Sequence, residues 1–465
     1  MNGRDGRSLS SALVVLGCGV ALVTMLGIPA HATYGARVTA DEPQYLLSAL
    51  SLGEDLDLDI RDEIEDERYR GFQRVDLDPQ TEETTSGALV SPHDPALPVL
   101  LAGSMRVGGW AAAKATLALV AGVLAALTAW VAIRRLGVAP RWAIATVAVF
   151  AVSPPLAVYS TQVYPELPAA LVVMVVVVLA TAPSFGRRAG IGVVVGVSLL
   201  PWLSVKYAPV AAALALVVLA RLRHRPRAVL ALVGALALQG ALYLVVHRAI
   251  YGGWTVYAAG DHFTETGEFS VVGVDPDYVG RSRRLVGLLV DRHFGLAAWM
   301  PAWLLLVPAL AALARRRPPW AGALVVPALA GWFVATFVAL TMHGWWWPGR
   351  QVVVIVPLLV LVIAWWLPQV RVGPWLLAVG GALGIGSWLW TTIEAIDRRR
   401  VLVVDFGDTA NPWYRLWRNA LPDGAHAMVR DDVLTIVWVA ALALLAVWGW
   451  HSAAARRERR RSADL

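Results

Sequence analysis

Apolar runs and charges alternate along this chain in a pattern that few folds allow. About twelve hydrophobic runs, each long enough or nearly long enough to cross a bilayer, follow one another between residues 10 and 450. When alternate gaps are assigned to opposite sides, 30 of the 33 Asp and Glu residues fall on one side; the exceptions are Asp5, Glu458 and Asp464, near the termini. The other side collects short basic turns: Arg134/Arg135, Arg187/Arg188, Arg221/Arg223/Arg225/Arg227 and Arg315/Arg316/Arg317. Arginine in short loops marks the cytoplasm, so the acidic side faces outward. Backbone polar groups must be satisfied internally in hydrocarbon, which makes the expected fold all-α and polytopic.

The predicted spans lie near 10–31, 109–133, 142–159, 166–182, 189–203, 207–221, 228–250, 296–314, 320–341, 351–367, 373–393 and 432–450. The two flanking Pro201-Trp202 are short for a bilayer and read as a broken or re-entrant pair. The whole chain, 1–465, reads as one transmembrane domain with three long outer segments, 32–108, 251–295 and 394–431, and a basic tail, 451–465. Both termini are expected in the cytoplasm. The first run, although followed by Ala30-His31-Ala32, is long for a cleaved signal peptide and is read as a retained helix. Residues 97–107 read as an interfacial helix leading into the membrane.

Composition narrows the function classes. The formal charge of +7 is accounted for by the orientation signal, so no nucleic-acid partner is expected. Cys18 is the only cysteine, which excludes an intrachain disulfide and a cysteine-based metal site. There is no phosphate-cradling glycine loop, nucleophile elbow or zinc spacing, which argues against nucleotide-driven cytoplasmic chemistry. Lys114 is the only ionisable residue well inside a predicted span, whereas a coupled transporter usually places polar groups near the midplane. The chemistry is therefore expected at the outer membrane surface.

Five outer segments could carry it. Asp41-Glu42-Pro43-Gln44-Tyr45-Leu46 follows the first span, and partial burial would suit one of its carboxylates to general-base work; the plain alternative is a solvated helix start. In Tyr164-Pro165-Glu166, Glu166 is the only acid between Asp94 and Asp261, although a lone Glu at a helix start is commonly a cap. Lys206 stands at an outer turn and is one of only two lysines, so a phosphate contact competes with a snorkelling role. Asp291-Arg292-His293 and His343-Gly344-Trp345-Trp346-Trp347-Pro348-Gly349-Arg350 each place an Arg and a His at the outer interface, where guanidinium suits phosphate and the Trp cluster suits a sugar face or an interfacial anchor. A metal reading is open for the acidic run 55–67, but its spacing matches no calcium loop, and charge solvation of an exposed loop is the reading taken.

The Asp41-Glu42 pair after the first span, with the topology and the segments Tyr164-Pro165-Glu166, Pro201-Trp202-Leu203 and Asp291-Arg292-His293-Phe294-Gly295, resembles the GT-C superfamily of polytopic glycosyltransferases, which includes protein O-mannosyltransferases and aminoarabinose transferases. The resemblance implies a plasma-membrane enzyme of the cell envelope. It would use a polyprenyl-phosphate-linked sugar on the outer face, with a glycan, lipid or protein acceptor and with inversion. Asp41 would be the general base, Glu42 would orient it or bind the acceptor, and Glu166 matches the position of a second acid, all three being catalytic candidates. Lys206, Arg292 and Arg350 are candidates for the donor phosphate, and Tyr45, Tyr164, His293 and His343 for substrate contact. No metal site is assigned and no cofactor is named, a divalent cation being left open. The alternatives are a transporter of lipid-linked sugar and a structural envelope protein.

Overall fold

The computed structural model describes residues 3–84, 87–426 and 428–461, with side chains described within 8–453. The side chains of the basic tail, Arg456 to Arg461, and of Arg4, Asp5 and Arg7 lie outside the described set, and Asp464 lies outside the described residues. The fold is all-α and polytopic. Among the described residues only isolated β-bridges occur, such as Ala36 with Gln73 and Thr81 with Gly260.

In chain order the helices are α1 (Gly3–Thr24), α2 (Glu42–Glu54), α3 (Arg61–Glu65), α4 (Ala96–Arg134), α5 (Pro140–Ala151), α6 (Leu156–Tyr159) and α7 (Glu166–Ala180). They continue as α8 (Arg187–Leu203), α9 (Ala208–Leu222), α10 (Pro226–Tyr251), α11 (Tyr278–Arg281), α12 (Arg284–Val290), α13 (Leu296–Trp299) and α14 (Leu306–Arg316). The last five are α15 (Ala321–Phe333), α16 (Val356–Trp366), α17 (Gly373–Ile396), α18 (Pro412–Trp417) and α19 (Val429–Arg461).

Among the described residues, eight helical stretches are long and apolar enough to cross a membrane. They correspond to eight of the predicted spans; the runs at 142–159, 166–182, 189–203 and 296–314 are helical but shorter or interrupted. Proline explains the interruptions, because it removes a helix donor and clashes with the preceding turn. Pro154 and Pro155 separate α5 from α6, Pro201 sits in the last turn of α8, and Pro301 follows α13. Among the described residues, eight of the twelve predicted spans thus reach membrane-crossing length as continuous helical stretches.

Burial orders the bundle. The segment Arg350–Gln369, which contains α16, is 83% buried across its apolar window and forms the centre, whereas the α10 and α19 windows are 11% and 6% buried and turn their apolar surface outward. α1 and α2 both pack on α4, α7 on α8, α9 on α15, and α14 on α19. The predicted interfacial helix is the first part of α4. The helix breaks at Gly108 and Gly109, whose φ of 61° and ψ of −156° are open essentially to glycine alone, so the N-terminal part turns away from the span.

Small residues let α1 and α4 touch. A Cβ added at Gly122 would stand 2.4 Å from the Gly17 carbonyl oxygen and 3.1 Å from the Ala21 Cβ, so the helices would have to part. Gly122→Ala is expected to destabilise the protein by about 1–3 kcal/mol, the usual range for overpacking. Thermal loss of the monodisperse species in detergent checks this; an unchanged midpoint would mean that the α1–α4 contact is not tight.

Candidate active site

The site begins with a strained turn. Ala40 has φ +49°, a left-handed conformation that costs a non-glycine residue about 1–2 kcal/mol, and it sets Asp41 at the N-cap of α2 with Pro43 in the first turn. Glu42 holds that turn. Its Oε2 accepts from the Thr39 backbone N–H at 2.9 Å, and its Oε1 accepts from the Val163 N–H at 2.6 Å. The Tyr164 hydroxyl donates to the Thr39 carbonyl at 3.2 Å. The 39–42 turn is thereby stitched to the turn that precedes α7. Glu42 is fully buried, which pushes its carboxyl above the ordinary value, although both oxygens are used on backbone donors. This geometry gives Glu42 a positioning role.

Glu166 opens α7, where the helix dipole favours a carboxylate. Arg350 starts the stretch leading into α16, at a helix end where the dipole disfavours a cation, and acids hold it there. Its Nη2 donates to Asp41 Oδ2 at 2.6 Å and its Nε donates to Glu166 Oε1 at 2.9 Å. Lys206 Nζ donates to the same Glu166 oxygen at 2.7 Å. The guanidinium stacks 3.9 Å from the Tyr164 ring centroid and 5.2 Å from that of Trp346. Two acids and two cations thus form one neutral cluster. Within it, the Glu166 side chain is 1% exposed and the Asp41 side chain 26% exposed. Burial alone would raise the Asp41 carboxyl, but Arg350 and the nearby His93 outweigh it and hold it well below the usual carboxylate range.

Asp41, Tyr45, Lys206 and Arg350 line one cavity of about 220 Å³, together with His93, Asp94, Tyr257 and His262. His93 and Asp94 were not singled out in the sequence. His93 Nε2 lies 3.9 Å from Asp41 Oδ2, and the His93 ring is 4.6 Å from that of Tyr45. Asp94 accepts from the Val205 N–H at 2.9 Å, the Tyr243 hydroxyl at 3.1 Å and a His247 ring nitrogen at 3.1 Å. It therefore fixes the turn that carries Lys206. The available signal was the pair His93-Asp94 between Pro92 and Pro95, immediately before an apolar run. Lys114, conspicuous in the sequence, donates to the Arg37 carbonyl at 2.6 Å and ties α4 to the first loop.

The remaining candidates form a second group. Arg292 is committed to Asp423 and Asp431, at 3.5 and 3.3 Å, and to backbone carbonyls of Arg418 and Leu421. Asp291 accepts from the backbone N–H groups of His293, Phe294 and Gly424, and His343 Nε2 lies 3.7 Å from it. Burial would raise the Asp291 carboxyl, but His343 and the backbone donors hold it low; burial also lowers His293. Asp291 and His343 line a separate cavity of about 440 Å³ that shares no lining residue with the first. Arg292 and His293 serve to join the 291–295 turn to the 418–431 segment.

A buried Arg350 and a half-buried Lys206, balanced by two carboxylates, thus stand among the turns of a polytopic all-α bundle, and it is the bundle that finds a counterpart among solved structures. The chain is similar to the crystal structure of ArnT from Cupriavidus metallidurans bound to undecaprenyl phosphate, with a TM-score of 0.55 and 16% sequence identity over 95% of this chain and 74% of that one. At this identity the likeness is one of fold. No family model and no curated protein matches the sequence.

Proposed function

We propose that the protein is a membrane glycosyltransferase that moves a sugar from a polyprenyl-phosphate-linked donor to an acceptor hydroxyl on the extracytoplasmic face. The observation that carries this reading is the convergence of Arg350, Lys206 and Asp41 on one cavity of about 220 Å³. The fold shared with a protein solved with undecaprenyl phosphate supports it.

The cluster explains how donor and base would be coupled. Arg350 and Lys206 are neutralised at rest, so an arriving phosphate needs one acid to yield its cation. Asp41 is the one to yield, because it is the exposed partner and Glu166 is closed in between both cations. Once free of Arg350, the Asp41 carboxylate becomes a better base. It takes the proton of the acceptor hydroxyl as that oxygen attacks the anomeric carbon. The bond to the phosphate oxygen breaks on the opposite face, and its electron pair leaves with the lipid phosphate, whose developing charge Arg350 and Lys206 stabilise. The anomeric centre inverts.

The test is transfer from radiolabelled polyprenyl-phosphate sugars in vesicles containing the purified protein. Label moving to an acceptor hydroxyl is the expected outcome; label that only crosses the bilayer on its lipid would overturn the enzyme reading and favour a transporter. The pH dependence has a definite sign. kcat/KM reports the free protein, in which the Asp41 carboxyl is held low, so the base form persists through and below the ordinary carboxylate range. kcat reports the donor complex, in which Arg350 is engaged elsewhere, so its acid limb is expected at higher pH. Coincident limbs would mean that the donor does not displace Asp41.

A further inference from the structure

The first outer loop holds a cluster that the proposed chemistry does not use. Asp55 is the C-cap of α2, and Asp62 and Glu63 lie in the first turn of α3. One carboxylate oxygen from each lies within 4.8 Å of the others. Asp55 and Asp62 are exposed, whereas Glu63 is 2% exposed and its Oε2 is buried with no hydrogen-bond partner. The nearby arginines are engaged elsewhere: Arg68 with Glu54 at 2.9 Å, Arg61 with Glu83 at 2.6 Å, and Arg70 with Glu67 and Asp76 at 3.1 and 2.6 Å. Among the described residues none of the three acids makes an ion pair within 4.0 Å.

Burying a carboxylate oxygen with no donor against two like charges is unfavourable unless something positive completes the site. The C-terminal carbonyls of α2 add further negative potential at the same place. We propose that Asp55, Asp62 and Glu63 bind one Ca²⁺ ion, which clamps α3 to the end of α2. An all-oxygen, carboxylate-rich set calls for a hard cation. Ca²⁺, with bonds of about 2.3–2.6 Å and flexible geometry, accepts ligand pairs up to this spacing, whereas Mg²⁺ asks for a tighter octahedron at about 2.1 Å. Three protein ligands, two of them exposed, leave the remaining positions to water. The clamp stands on this geometry alone and does not depend on the transfer reaction, although α2 carries Asp41 at its other end.

The test is calorimetric titration of the full chain in detergent with CaCl₂ after chelation and removal of the chelator. One saturable ion per chain is expected, with Kd on the order of 10⁻⁴–10⁻³ M, the range of extracellular calcium modules. Ca²⁺ should also raise the thermal midpoint. Glu63→Gln and Asp62→Asn should each weaken binding at least tenfold, while Asp76→Asn, elsewhere in the same loop, should not. Asp55→Asn, at an exposed position where folding is insensitive, should weaken it as well. No saturable heat up to about 10 mM would overturn the proposal, as would unchanged affinity in the Asp55 and Asp62 variants. Binding abolished equally by Asp76→Asn would reduce it to a diffuse counter-ion effect.

Discussion

Asp41→Asn is expected to lower sugar transfer by about 10²–10⁴-fold, the range that a positioned general base contributes, with the amount of folded protein unchanged. The substitution is nearly isosteric, and the amide oxygen can still accept from Arg350 Nη2, now at 2.6 Å from the carboxylate. The turn is held by Glu42 and Tyr164, not by Asp41, so the backbone at the α2 start should persist. What is lost is the capacity to accept a proton. Donor binding should hold or improve, because Arg350 keeps Glu166 but no longer has the Asp41 charge to exchange for phosphate. The measurement is single-turnover transfer, paired with binding of the lipid phosphate to the same preparation. A rate within about threefold of wild type would remove Asp41 from the chemistry and turn attention to His93, whose Nε2 lies 3.9 Å away.

Much of the architecture was legible because its cause is local. Hydrocarbon demands long apolar helices, and the Gly108-Gly109 and Pro201 positions mark where they break or end. Helix length was not legible, because apolarity alone does not say how far a helix runs past Pro154-Pro155 or Pro301. The candidate site was legible as separate outer turns and not as an assembly. Asp41 and Arg350 are 309 residues apart, and no periodicity brings them together. Arg292, like Arg350, is an Arg with a His nearby in the sequence, yet packing delivers it to Asp423 and Asp431. Asp94 was hidden among sixteen acids of residues 41–94; only its burial against Tyr243 and His247 distinguishes it. Glu63 was hidden in the same way. A run of charge reads as solvated surface, and which member faces inward depends on how α3 packs.

Arg350→Met is expected to be the most damaging single change, because Arg350 is the one residue that bridges both acids. Its side chain is 8% exposed, and removing one partner of a buried ion pair costs about 3–5 kcal/mol. The loss should fall toward the lower end of that range. Asp41 is partly solvated and can turn to His93, and Glu166 keeps Lys206 at 2.7 Å. Transfer should fall below detection in the same variant, since the cation facing the leaving phosphate is gone. Stability and chemistry can be separated by two further proteins. Adding Glu166→Gln to Arg350→Met leaves one acid, Asp41, facing one cation, Lys206, across the same cavity, so the cluster is neutral again and the thermal midpoint should recover in part while transfer stays absent. Arg350→Lys keeps the charge but not the fork, and one ammonium cannot make both the 2.6 Å and 2.9 Å contacts in their present directions. That protein should fold and bind donor phosphate weakly. Thermal midpoints and transfer rates of all three decide the matter. A double variant that regains transfer along with stability would show that Arg350 holds the bundle together without touching the reaction.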